Sequence, residues 1–349
     1  MWNGNQMTPP ALHPSVVGLI ARGRFGEHSL APGDAAGLRW HGLAAEAAEQ
    51  AEAAGTDSSE TQALVRAARL DTIRSMAVLS TAGRVSTILR DAGLRVLCYK
   101  GPALALQTTG VWSLRGSADA DILIPEGAVA AAHEVLIRHG LSRRSGHSGP
   151  PSKFLLYRDS ECGYSGLPCS VDLHWRIEDS PAYFRLPFSE LWTSRKEVVG
   201  AEHRLWTLGQ IDALLVTAVH GSRERWWKWR WALDAFRQVN ALSLREWHES
   251  VERARRAGAL RSLAMALSVA QTCGLDRSDL PTANVKLRQT ARAWLTTSAA
   301  PGEQSPSAAL SRRLDRWRLA DSPLASMDGA ARATIRQIFP ESRTFTGTA

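Results

Sequence analysis

At 349 residues the chain exceeds one minimal domain, so it reads as two domains or as one core with helical extensions. A hydrophobic content of 44% with 22% charged residues excludes wholesale disorder and fibrous repeats. The net charge of +8 favours an anionic partner: an NTP, nucleic acid, an acidic peptide or a membrane surface. The four cysteines, Cys98, Cys162, Cys169 and Cys273, have neither zinc-site spacing nor the density of a disulfide framework, and are expected to be reduced thiols. No run reaches the roughly 18 apolar residues of a membrane-spanning helix. The opening MWNGNQMTPP lacks the basic and apolar regions of a secretory signal, which makes a soluble, cytoplasmic protein the expectation.

Residues 1–58 predict a poorly ordered start followed by one helix over 43–54. From 60 to 92, Leu64, Val65, Ala68, Ile73, Met76, Leu79, Val85, Ile88 and Leu89 recur at helical spacing, which predicts one or two helices that stop at Gly93. The β-type run 95–99 ends abruptly at Lys100-Gly101-Pro102, and a short apolar helix follows. The sequence DADILI at 119–124 predicts a second strand closed by Pro125, with Asp119 and Asp121 on one side of it, because side chains alternate across a strand. A helix over 128–139 ends at Gly140, and 145–152 is expected to be a loop. Two more strands are predicted at 153–158 and 169–177. In the latter, alternation sets Ser170, Asp172 and His174 on one face and Val171, Leu173 and Trp175 on the other, so Asp172 can join the first two acids.

After Trp206 the pattern turns helical. Thr207-Leu208-Gly209-Gln210 has capping-box spacing ahead of Ile211, Leu214, Leu215 and Ala218. The segment 220–231, HGSRERWWKWRW, would display tryptophans on a wide arc of a helix, interleaved with Arg225, Lys228 and Arg230. Burial of these rings between the two halves of the chain is favoured over stacking on single-stranded nucleic acid. Helices continue to about 297. A Ser/Ala/Pro-rich linker over 297–307 and a basic helix over 308–319 complete the pattern.

Four blocks in this order, YKGPALA at 99–105, RGSADADILI at 115–124, VDLHWRI at 171–177 and HGSRERW at 220–226 with Asp234 beyond it, resemble the uncharacterised bacterial nucleotidyltransferase group. That group belongs to the DNA polymerase beta-like nucleotidyltransferase superfamily. The resemblance implies an α/β (α+β) fold: a nucleotidyltransferase-type mixed sheet flanked by helices, with an N-terminal helical segment and a C-terminal helical domain. On this reading 59–206 is the core, 207–297 the helical domain, and 298–349 a linker, basic helix and tail. The superfamily's usual Gly-Ser pair, at a helix start some ten residues before the acids, is not matched directly: Gly101 is followed by Pro102 and lies eighteen positions before Asp119.

Nucleotidyl transfer attacks the α-phosphate of an NTP with an acceptor hydroxyl and expels pyrophosphate, so charge on several oxygens must be neutralised while the reactants are aligned. Magnesium, with hard oxygen ligands, suits this task. Asp119, Asp121 and Asp172 are the expected metal ligands and catalytic carboxylates, Asp172 also helping the acceptor hydroxyl lose its proton. Lys100 and Arg115 are candidate phosphate clamps, and Gly101 lets backbone N–H groups approach phosphate at a helix start. Ser117 is the candidate hydroxyl on the γ-phosphate. His174, His220 and Arg223 complete the substrate-binding set. The expected partners are an NTP and a small-molecule or peptide acceptor, with nucleic acid less favoured and no membrane. Two alternatives stand beside transfer: an inactive protein of this fold that binds nucleic acid or peptide, and a phosphotransferase using the same metal site.

Overall fold

The computed structural model describes residues 13, 15–144, 149–296, 319–321, 327–328 and 331–332. The expected linker over 297–307 and most of the basic helix over 308–319 lie outside these residues. Where the sequence predicts one helix before residue 58, three are present: α1 (Ser15–Ala21), α2 (Asp34–His41) and α3 (Ala44–Ala53). The periodic stretch beyond them forms one long helix, α4 (Ser59–Asp91), started by Ser58, whose side chain accepts from the Thr61 amide, as an N-cap does.

The sheet is built from β1 (Leu97–Cys98), β2 (Asp119–Leu123), β3 (Ser142–Arg143), β4 (Glu161–Ser165) and β5 (Ser170–His174), in the order β1-β2-β5-β4-β3. The central pair β2–β5 is parallel and the other pairings are antiparallel. Between β1 and β2 runs α5 (Gly101–Thr109), and α6 (Val129–Arg138) follows β2. Ala120 and Ile122 of β2 and Val171 and Leu173 of β5 pack with Val78, Leu79, Val85 and Leu89 of α4 in one core. The opposite-facing acids of β2 and β5 therefore stand on the other side of the strands.

The strand predicted over 153–158 is instead a helix, α7 (Lys153–Arg158). Ser152 caps it by accepting from the Leu155 amide at 3.2 Å, and a segment this short shows no period to separate helix from strand. After α8 (Phe188–Ser194), the strands β6 (Lys196–Gly200) and β7 (His203–Thr207) form a separate hairpin. Thr207 is thus the end of a strand rather than a helix cap. The next helix, α9 (Gln210–Arg223), starts from Gly209 with no side-chain cap.

The tryptophan segment is not one helix either. The chain breaks after α9, with Arg225 and Trp226 both at φ +54°, and resumes as α10 (Trp229–Ala241). Trp226 tucks back against α9, where a Cβ on Gly221 would stand 2.6 Å from its ring; only glycine admits that approach. Trp226, Trp229 and Trp231 are buried, as the packing expectation has it. They join α1 to α3 and the following α11 (Leu244–Ala257), α12 (Leu260–Thr272) and α13 (Val285–Thr296) in a second core. All four cysteines are free thiols. Among the described residues no helix is long and apolar enough to cross a membrane.

One contact in this core carries a pH dependence. His41 stacks on Trp229 with ring centroids 4.3 Å apart, and its Nδ1 accepts from the Trp229 amide at 3.3 Å. Burial, with the nearby Lys228 ammonium, lowers the imidazole to about 3 from its usual 6.5. The folded protein holds the ring neutral, so this contribution to stability is complete above about pH 6.5 and is lost as pH falls toward 3. His41→Phe, which keeps a ring on Trp229, is expected to flatten that acid limb. Urea melts of both proteins at pH 7 and pH 4 check this; an equal loss on acidification in the two would contradict it.

Candidate active site

Asp119 and Asp121 sit at alternate positions of β2, and β5 lies alongside with Asp172 in register with Asp121 and Ser170 with Asp119. The three carboxylates therefore share one face of two neighbouring strands, the arrangement that the sequence alternation predicts. Asp121 is the most firmly held. Lys100 Nζ donates to its Oδ1 at 3.0 Å, and His174 Nε2 lies 3.1 Å from the same oxygen. Burial opposes ionisation of Asp121, but Lys100 and His174 outweigh it and hold the carboxyl well below the usual carboxylate range.

The other two acids shift the opposite way. Burial, followed by repulsion from Asp121, raises Asp119. Burial, Asp119 and Glu161 together push Asp172 up to about 7, although Arg144 Nη1 stands 3.6 Å away. Like charges that cannot all ionise comfortably share a proton or take up a cation. Glu161, which the sequence reading missed, faces His174 across β4 and β5, with Oε2 3.0 Å from His174 Nδ1. The imidazole thus lies between two carboxylates. Burial works against its charge, but Glu161 and Asp121 prevail and raise it.

Lys100 reaches Asp121 through an unusual backbone. It sits at φ +60° and Gly101 at φ +42°; for a lysine, such a conformation costs on the order of 1–3 kcal/mol. The turn delivers the chain from β1 into α5, with Pro102 in the first helical turn, where a missing N–H is harmless. A Cβ on Gly101 would stand 3.0 Å from Ser117 Oγ, so a glycine and a serine far apart in sequence meet at the start of α5. The Ser117 hydroxyl donates to the Asp119 carbonyl at 3.2 Å.

The helical layer supplies the facing wall. Arg223 of α9 donates from Nη1 to Glu178 at 2.9 Å, from Nε to Glu224 at 2.9 Å, and from Nη2 to His220 Nδ1 at 3.1 Å. A guanidinium only donates, so His220 Nδ1 is an acceptor and the ring proton sits on Nε2. Burial, then the charges of Lys100, Arg223, Arg230 and Arg115, keep His220 neutral, well below its ordinary value. Arg115, expected as a phosphate clamp, is engaged by Asp234 of α10 through Nε at 2.9 and 3.1 Å. It ties the segment before β2 to the helical layer.

The structure thus gathers Lys100, Gly101, Ser117, Asp119, Asp121, Asp172 and His174 about one face of β2 and β5. It sets His220 and Arg223 within electrostatic reach of Lys100, and commits Arg115 to Asp234. Glu161, Arg144 and Glu178 were not singled out from sequence, and Arg230 was noted only as a basic residue among the tryptophans. An alternation of buried Cys162 and Tyr164 around Gly163 was the one signal that could have exposed β4, and with it Glu161. Among curated proteins none matches the chain. The family described as uncharacterised nucleotidyltransferase matches residues 35–274, which takes in all four sequence blocks, the sheet with its acids, and α9 and α10. The chain belongs to that nucleotidyltransferase family.

Proposed function

We propose that the protein moves a nucleoside monophosphate from a Mg2+-bound NTP to a hydroxyl of a small-molecule or peptide acceptor, releasing pyrophosphate. The observation that carries this reading is the set of three carboxylates on β2 and β5 beside the Lys100-Gly101 turn into α5. Among the described residues no group of three or more His, Cys, Asp or Glu side chains is placed to hold a metal ion, so Asp119, Asp121 and Asp172 do not form a three-carboxylate site by themselves. Magnesium does not need one, since it is usually held by one or two carboxylates together with substrate phosphates and water. Asp119 and Asp121 fit that half-open role, and a cation there would relieve the repulsion that raises Asp119 and Asp172. When bound, the ion would neutralise phosphate oxygens and help align the displacement.

The remaining work falls to side chains. Lys100 neutralises Asp121 and keeps it oriented. The first turn of α5 offers donors to phosphate, and the Ser117 hydroxyl joins them by turning from the Asp119 carbonyl. The acceptor oxygen attacks the α-phosphorus as the bond to the β-phosphate bridging oxygen breaks, and the pyrophosphate leaves with that electron pair. Asp172, in register with Asp121 on the neighbouring strand, is placed to receive the acceptor's proton. His174, hydrogen-bonded to Asp121 with Glu161 close on its other side, orients the metal-side carboxylate.

Two labels distinguish this chemistry from phosphoryl transfer at the same acids. Protein incubated with Mg2+, a pool of hydroxyl-bearing metabolites and peptides, and NTP labelled at either the α- or the γ-phosphate is expected to place only the α-label on acceptor, with pyrophosphate as co-product. Transfer of the γ-label would replace this reading with a phosphotransferase.

A further inference from the structure

Four cations lie within electrostatic reach of His220: Lys100, Arg223, Arg230 and Arg115. Three of them have carboxylate partners: Lys100 with Asp121, Arg223 with Glu178 and Glu224, and Arg115 with Asp234. Arg230, from the first turn of α10, is different. Among the described residues it makes no ion pair. Its Nη1 donates to the Gly116 carbonyl at 3.0 Å, and its Nε is buried without a hydrogen-bond partner. Burying a guanidinium without its own counter-ion is unfavourable, and burial together with Arg115 lowers Arg230 to about 10. It still carries its charge at neutral pH.

The position of this charge is fixed from both sides. The Arg230 stem packs on the α2–α3 junction, where a Cβ on Gly42 would stand 3.0 Å from Arg230 Cδ, and Gly116 holds one end of the fork. Gly116 lies three residues before Asp119, and both Asp119 and Asp121 feel the Arg230 charge. The residue keeps some solvent exposure although its Nε is buried. A pre-positioned guanidinium fork beside a pair of metal-binding acids is suited to two oxygens of a polyphosphate.

We propose that Arg230 is the clamp for the β- and γ-phosphates of the NTP and for the pyrophosphate that leaves. This rests on the nucleotidyl-transfer reading. The α-phosphate travels to the acceptor while the negative charge that develops on the leaving oxygen is met by Arg230, with no proton transferred from it. The charge that is costly in the free protein is then satisfied by the substrate, an electrostatic arrangement made before the reaction begins.

The test is calorimetry and thermal melting of wild type, Arg230→Met and Arg230→Lys with Mg2+ and ATP, CTP, GTP or UTP, with pyrophosphate, and with the corresponding monophosphates. Arg230→Met is expected to weaken NTP and pyrophosphate binding at least tenfold. Monophosphate affinity should stay unchanged and the ligand-free melting temperature should stay level or rise, with Arg230→Lys in between. A purely structural arginine would instead lower the melting temperature and weaken every ligand alike, and that result would overturn the proposal. NTP binding that requires Asp119 but ignores Arg230→Met would overturn it while leaving nucleotidyl transfer standing. Absence of NTP binding by wild type would overturn both.

Discussion

Asp234→Ala is expected to cost about 3–5 kcal/mol of folding stability, the usual price of breaking a buried ion pair by removing one partner. Asp234 and Arg115 are both buried, and their contact at 2.9 Å joins α10 to the segment that carries Ser117 and leads into Asp119. Arg230 is close enough to sense both. Without Asp234, two guanidiniums would face one another with no carboxylate between them. Asp234→Asn keeps an acceptor for Arg115 and should cost less than the alanine. Adding Arg115→Met to Asp234→Ala removes the stranded charge and should recover part of the loss, a coupling that a double-mutant cycle in urea reads directly. Wild-type stability in Asp234→Ala, or simple additivity in the cycle, would contradict this account of the contact.

The second large effect separates two neighbouring acids. Asp119→Asn and Asp121→Asn are each expected to lower nucleotidyl transfer by on the order of 10²–10³-fold, the scale of losing one aligned electrostatic group. Their stabilities should diverge. Asp119 is raised by burial and by its like-charged neighbour, so the amide removes repulsion and should leave the melting temperature level or higher. Asp121 is the common partner of Lys100 and His174, and its amide leaves the Lys100 ammonium without its carboxylate. A lower melting temperature is expected for Asp121→Asn. Equal destabilisation by the two changes would mean that the acids are not charged as described.

Much of the candidate site was legible because strand alternation is a local rule. DADILI and SVDLH each set acids against apolar residues, and the parallel pairing of β2 with β5 brings the polar faces together. The Lys100-Gly101-Pro102 turn was equally visible, since few residues tolerate such a backbone. The sequence reading also expected a mixed sheet flanked by helices, and the sheet order bears this out.

What escaped depends on contacts distant in the chain. The break at Arg225 and Trp226 is set by the Trp226 ring filling the space above Gly221, and the helical spacing of the tryptophans gives no hint of it. The apolar run in 153–158 carries no usable period, so a serine cap decided in favour of α7. Arg115 looked like a clamp because its partner, Asp234, lies on another element. Arg230 passed as one basic residue among several because its lack of a carboxylate partner is a property of the folded protein. Ser117 is the converse case: distant from Gly101 in sequence, it stands beside it in the fold.

The central claim is that Asp119 and Asp121 form a metal–NTP site, and calorimetric titration of each NTP with Mg2+ tests it without knowledge of the acceptor. Wild type is expected to bind at least one NTP in a manner that needs the metal, and Asp119→Asn/Asp121→Asn, shown folded by circular dichroism, is expected to lose that binding. Folded wild type that binds no NTP, or binds it equally well without metal or without the two carboxylates, would contradict the claim.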